Sequence, residues 1–470
     1  MKFSLTMAAL ALNVGCGSKS DDTNDTVDTG DTNIPNTIET YEFTSAITGE
    51  PSVSRSGQVF RQLLIDDMKG YLGDLTARID SAEYFPAAGD VTADLNFYFE
   101  FDGDTSGSIE HGLSGDMDTL QATYGDLSSG KDLVSKLAGN DATGQHQDWS
   151  MGIVGWDSNG AVSPETLVRN WFAQIDEMAV DRANGIETMG PDGAPLSAVY
   201  LTPDGTDLRQ LIEKFLRGAV AYSQGTDDYL DDDIADKGLN AEHTLVEEGK
   251  NYTALEHAWD EAFGYFGAAT DYAQWTDTEI KEEPAMDVDG DGYIDLINET
   301  NWGHSINAAK RDLGSSELAP ADFTQQAWDG FTMGRALLAD TAGAGLTGEE
   351  MEQLQAHRDE AVAAWEMSIS STVVHYINDV IQDLEGGASV SDVAKHFSEL
   401  KGFSLCLQFN PRSMVSGADF EEFQGLIGQS PYEYDTEEYV SKLLNARDII
   451  VSSYGFAAEN EGDESGNGGW

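Results

Sequence analysis

The sequence predicts an all-helical protein of packed bundles, arranged in two pseudo-symmetric halves with a loop-rich insertion in the first. Three observations carry this reading. Apolar residues recur at three- and four-residue spacing through most of the chain. Runs that alternate apolar and polar residues, the mark of half-buried strands, are few. The chain has 470 residues, 40% hydrophobic and 10% aromatic, enough to bury a large core.

The segments follow in chain order. Met1 to Cys16 has one cation, Lys2, then an apolar run from Phe3 to Leu12, small residues and a cysteine. This is the outline of an export signal. It resembles a bacterial lipoprotein signal, in which Cys16 would carry the lipid, and an ordinary signal peptide is the alternative. Residues 17–38 repeat Asp and Thr and hold almost nothing apolar. Such a segment cannot offset its ordering entropy and reads as a flexible acidic tether. Anchor and tether together predict an exported protein, held at the outer membrane or cell surface of a bacterium. No run of eighteen apolar residues occurs, so no spanning helix is expected.

The first helical half covers 39–267. A helix is expected near 55–72. Residues 73–205 are rich in Gly and Asp and read as an insertion, with a helix near 164–182 and a short strand at Asn96–Phe101. Leu208, Leu211, Ile212, Phe215, Leu216 and Val220 mark the next helix, and Tyr252, Leu255, Trp259, Ala262, Phe263 and Phe266 the one after it. A loose connecting segment, 268–302, separates the halves. The second half, 303–455, has helices expected near 321–340, 348–365, 389–405, 417–427 and 435–454. Trp365, Ile369, Val373, Tyr376, Val380 and Leu384 mark one more, with Gly386 and Gly387 placed as its stop. The acidic, Gly-rich residues 456–470 read as a disordered tail.

Charge excludes one class of partner. Lys plus Arg number 25 and Asp plus Glu 85, a net charge of −60. A chain this acidic is not held to nucleic acid by electrostatics, and it suits cations, a salty medium or both. Cys16 and Cys406 are the sole cysteines, so neither a disulfide framework nor a thiolate cluster is available. Metalloprotease, serine-hydrolase, nucleotide-phosphate and dinucleotide motifs are absent.

Two patterns carry metal chemistry. His257 with Asp260 or Glu261, and His396 with Glu399, stand three or four residues apart, on one helical face. Imidazole and carboxylate from facing helices are how bundles build transition-metal sites, and a buried histidine oriented by its own helix is the alternative. Gly264 and Gly402 follow these pairs, and a mid-helix glycine implies close approach of a neighbour. The second pattern is a calcium-type loop with Asp287, Asp289, Asp291, Tyr293 (through its carbonyl), Asp295 and Asn298 at ligand positions, and Glu299 next to the last. A weaker copy has Asp102, Asp104, Ser106, Ser108 and Glu110, and a plain acidic loop is its leading alternative. Cys406 and His375 read as core residues, and Lys310, Arg311 and Arg335 as scarce cations that neutralise buried carboxylates or cap helix ends.

The stretches LRQLIEKFLRGAVAY (208–222), YTALEHAWDEAFGYFG (252–267) and KHFSELKGFSLCLQFNP (395–411) resemble a family of uncharacterised bacterial envelope lipoproteins, themselves similar to the imelysin-like, iron-regulated proteins. The resemblance implies two pseudo-symmetric helical bundles, a Gly-x-His-x-x-Glu metal motif and a role in iron acquisition. His396 and Glu399 meet the motif, His257 and Asp260 meet it with Asp for Glu, and Leu255 and Ala394 stand at the glycine position. Three functions stay open. The first is a non-catalytic, membrane-anchored metal- or ligand-binding lipoprotein using iron or another transition metal. The second is a metallohydrolase working through His396 and Glu399. The third is a structural or adhesive module stabilised by calcium.

Overall fold

The computed structural model describes residues 37–115, 117–141, 145–156 and 162–470. The export signal, Cys16 and the tether up to residue 36 lie outside the described residues. The helices, in order, are α1 (Ser56–Asp80), α2 (Asp90–Phe99), α3 (Gly103–Ser106), α4 (Tyr124–Leu127), α5 (Pro164–Ala183), α6 (Leu208–Leu216), α7 (Ala254–Phe266), α8 (Asp277–Glu282), α9 (His304–Gly314), α10 (Phe323–Thr341), α11 (Gly348–Gly386), α12 (Val390–Cys406), α13 (Gly417–Ile427) and α14 (Thr436–Tyr454). Strand-like pairing among the described residues is confined to isolated bridges. The protein is all-α.

Local chemistry sets the helix ends. Thr253 and Glu256 form a capping box at the start of α7, and Thr347 and Glu350 do the same for α11. Pro164 opens α5 behind the Ser163 cap. The two helices expected at 348–365 and 365–384 are one continuous 39-residue helix, stopped by Gly387. That helix is the spine: α9, α10, α12 and α14 all pack on it. Helices from either side of 268–302 meet, α6 against α12 and α7 against α10. Trp259, Phe266, Phe331 and Trp365 are buried where these layers join.

Four expectations are corrected. Asn96–Phe101 is not a strand, since its first residues end α2, which buries Val91, Leu95 and Phe99 at four-residue spacing and is capped by Asp176 from α5. Helix α1 does not stop near residue 72 but runs on to Asp80, burying Leu72, Leu75 and Ile79 on its continued apolar face. Much of the 73–205 insertion is therefore helical, with α2 and α5 packed on α1. The helix begun at Leu208 changes to π-helical turns at Arg217–Tyr222 and again at Gln224–Tyr229. Last, the tail at 456–470 is not disordered. Trp470 is buried against Phe456, its Nε1 donates to Arg311 O at 2.9 Å, and tail carbonyls accept from Asn378, Gln382 and Arg447. One aromatic anchor and several buried side-chain donors outweigh a composition that favours disorder.

Candidate functional site

The α7 pair separates in the fold. Asp260 is fully buried and finds its partners on other elements. Its Oδ1 accepts from Arg335 Nε at 2.8 Å and from the Tyr41 hydroxyl at 3.0 Å, and its Oδ2 from the Ser54 N–H at 3.2 Å. Arg335 also donates from Nη1 to Glu256 at 2.9 Å and from Nη2 to Ser52 at 2.8 Å. Burial pushes the Asp260 carboxyl above its ordinary value, against the pull of Arg335. His257 instead stacks on Tyr252, with its Nε2 3.8 Å from Glu261, and Glu261 accepts from Gln58 at 2.6 Å. The expected grouping of His257, Asp260 and Glu261 around one ion is not formed, because Arg335 already occupies the place of a cation.

The α12 pair separates as well. His396 Nδ1 lies 2.7 Å from Asp383 Oδ2 on α11, and its Nε2 3.9 Å from Asp379 Oδ2. His375 Nε2 lies 3.4 Å from that same Asp379 oxygen. Glu399, the expected partner, is buried and turns to Lys214, 3.6 Å away. Burial and the nearby Arg311 hold the His375 pKa down to about 3, so its imidazole is neutral, the form that binds metals. His396 and its acids thus come from two helices of one hairpin, and His375 is part of the group rather than a plain core residue.

Gly264 and Gly402 do mark close approaches. A Cβ on Gly264 would stand 2.8 Å from Gln58 and 2.9 Å from Arg55, and one on Gly402 2.5 Å from Lys214. The first admits the start of α1 against α7, the second admits α6 against α12.

The two Asp-rich loops differ. In the second, Asp287, Asp289 and Glu299 bring carboxylate oxygens within 4.8 Å of one another. Gly292, at the sixth position, has φ +93°, and the Asp287 carboxylate accepts from the N–H groups of Gly290, Asp291 and Gly292. Glu299 Oε1 accepts from Val288 at 2.8 Å and Asp289 at 3.1 Å. Ile294 pairs with Thr119, tying the loop to the first half of the chain. Glu299, not Asn298, closes the ring. Asn298 Oδ1 accepts from Thr270, Asp291 Oδ1 from the Tyr293 N–H, and Asp295 from Ile297, Gln121 and Asn298, and these three do not join the cluster of Asp287, Asp289 and Glu299. A cleft of about 1090 Å³, lined by Asp289 and Glu299 and by Tyr41 and Arg55 from the segment before α1, opens beside the loop.

The first loop takes another shape. Asp102 caps the short α3, accepting from the Asp104 N–H at 3.0 Å, and Gly107 at the sixth position has φ −58°. Glu110 pairs with Thr123, and Ser106 donates its N–H to Asp102 O. Asp102, Asp104, Ser106, Ser108 and Glu110 do not form a carboxylate cluster among the described residues. Sequence spacing does not bring His375, Asp379 or Asp383 to His396. Glu299 has a local signal, its place beside the last loop position, and Arg335 is legible as a cation that neutralises buried carboxylates, though its partners Glu256 and Asp260 are not.

No curated protein and no solved structure matches the chain. A family model described as "Domain of unknown function (DUF4856)" matches residues 162–420, over half of the chain, a span that includes α5 to α12, the second loop and the His396 group. The protein belongs to this family.

Proposed function

We propose that the protein is a non-catalytic, cation-binding module of the bacterial cell envelope, braced by calcium at the 287–299 loop. The observation that supports it is the meeting of Asp287, Asp289 and Glu299, which backbone N–H groups serve and no lysine or arginine pairs with among the described residues. Three carboxylates held this close repel one another unless a cation lies between them. Elemental analysis of the purified full-length protein after dialysis tests this: one calcium per chain is expected, and it should be lost in Asp287→Ala/Asp289→Ala. A calcium-free wild type in millimolar calcium contradicts it. On the same reading Cys16 carries a lipid, and Cys16→Ser moves the protein from the membrane to the soluble fraction.

A second reading, transition-metal binding in the service of iron acquisition, is favoured by one observation. His396 Nδ1 sits on Asp383 at 2.7 Å, which leaves Nε2 with its lone pair toward Asp379, and His375 faces the same oxygen. A carboxylate behind a histidine is the usual outer support of a metal ligand. Iron, zinc or copper bound by wild type and lost in His396→Ala supports it; equal metal content in both contradicts it. The hydrolase alternative has less behind it, because His396 and Glu399 turn to different partners. The reading of two pseudo-symmetric, imelysin-like halves draws support from Gly264 and Gly402, each of which admits a neighbouring helix onto its own.

A further inference from the structure

The carboxylate ring of the 287–299 loop borders a space large enough for a ligand. The cleft beside it has a volume of about 1090 Å³, at the upper end of the ~300–1,000 Å³ common for small-molecule sites. Asp289 and Glu299 belong both to the ring and to the wall of this cleft. Asp287 belongs to the ring alone, so an ion among the three carboxylates lies at the edge of the cleft. The rest of the wall comes from two stretches, residues 40–56 and residues 270–298.

The wall narrows the choice of occupant. Glu42, Asp271, Asp289, Asp295 and Glu299 line it against one cation, Arg55. Such a wall repels an anion even after calcium has balanced two of the five acids. A cationic ligand would compete with calcium for Asp289 and Glu299. Phe43, Val53, Val288 and Ile297 add apolar surface, and none of them is fully buried. Arg55 is 2% exposed. Its Nη1 and Nη2 donate to Ala268 O and Thr270 Oγ1, and its Nε–H is left without an acceptor. An unmatched donor on a residue of the wall is met by an oxygen from a ligand or from ordered water. Calcium binds about six to eight oxygens, so three carboxylates that offer one oxygen each leave positions for further oxygens.

We propose that this cleft binds a neutral saccharide, whose neighbouring hydroxyls complete the coordination of calcium at Asp289 and Glu299. The proposal rests on the calcium reading of the loop. A sugar carries no charge for the acidic wall to repel. It supplies paired oxygens to the ion and O–H donors to the remaining carboxylates, and it has an apolar ring face for Phe43, Val53, Val288 and Ile297.

The test is saturation-transfer NMR of the full-length protein with mannose, galactose, glucose, fucose and N-acetylglucosamine, each titrated in millimolar calcium and in excess EDTA, beside thermal melts of the same samples. At least one sugar is expected to bind saturably in calcium and at least about tenfold more weakly in EDTA, the scale of one contact to a charged group. By linkage, that sugar should also lower the calcium concentration needed for half of the rise in Tm. Val288→Trp puts bulk into the cleft and leaves every carboxylate in place, so it should lose the sugar and keep the calcium-dependent rise. Thr44→Trp, from the other stretch of the wall, is the second variant should the first fold poorly. A wild type that gains Tm with calcium but binds none of the sugars overturns the proposal and leaves the calcium loop standing. Binding that is equal in EDTA, or that both tryptophan variants retain, overturns it as well. No gain in Tm with calcium removes the calcium reading of the loop, and the proposal falls with it.

Discussion

Two acid clusters in this protein solve the same problem in opposite ways. In α7, Glu256 and Asp260 are fully buried, and Arg335 from α10 binds both through fixed hydrogen bonds. In the 287–299 loop, Asp287, Asp289 and Glu299 crowd together in the same way, but only backbone N–H groups answer them. A buried carboxylate with its own guanidinium is complete, and it has no place for an ion. A carboxylate ring served by backbone dipoles alone keeps its charge uncompensated. The difference shows that acid density alone does not distinguish the two clusters; whether an arginine of the chain pairs with the carboxylates does.

The largest effect expected from this contrast is at Arg335. Arg335→Met leaves Glu256 and Asp260 buried without a counter-charge and should cost about 3–5 kcal/mol of stability by chemical denaturation, in calcium or without it. A loss below about 1 kcal/mol would mean that the interior cluster does not depend on its guanidinium.

Next is the closing carboxylate of the loop. Calcium at a hundredfold excess over its dissociation constant should stabilise the wild type by about 2.7 kcal/mol. Glu299→Gln should remove most of that gain and Asn298→Ala little of it, which calorimetric titration of the two variants separates.

A third class of acid is buried without a hydrogen-bonded guanidinium: Asp207 feels the charge of Arg209, and Asp228 those of Asp141, Asp227, Lys237 and Lys136, and in both burial dominates. Burial raises Asp207 to about 6 and Asp228 to about 7. The unfolded value is about 3.9, so between about pH 4 and 7 the native state binds more protons than the unfolded chain. Their contribution is therefore most favourable at the acid end of that window and is lost as pH rises through the two folded values. Asp228→Asn should flatten the fall in calcium-free Tm between about pH 4 and 7; an unchanged slope would remove Asp228 from the account. The smallest effect is expected in the first loop, where Asp104→Ala should change the calcium response by less than about 0.5 kcal/mol.

Most helices are legible in the sequence because each shows its period and its caps within a few residues, as Thr253 and Glu256 do for α7. The tail is not, since the anchor that orders it, Trp470, packs on residues far back in the chain, Phe323 among them. The same limit governs the site. The Asp287 loop is a local pattern and can be read from its spacing. The partners of His396 lie 13 and 17 residues back across the α11–α12 turn, and Arg335 is 75 residues from Asp260, so no same-helix spacing rule reaches them. The two loops have equal spacing; Ser106 stands where the other has Asp291, and the backbones differ as well, φ +93° at Gly292 against −58° at Gly107.

The central claim is that the 287–299 loop, unlike α7, takes its cation from outside. The most direct measurement is the Tm of the wild type and of Glu299→Gln, each in millimolar calcium and in excess EDTA. A calcium-dependent rise in the wild type that is absent from Glu299→Gln is the predicted result. Wild type and variant melting together in both buffers would contradict it, and the loop would then be an acidic turn held by its own backbone.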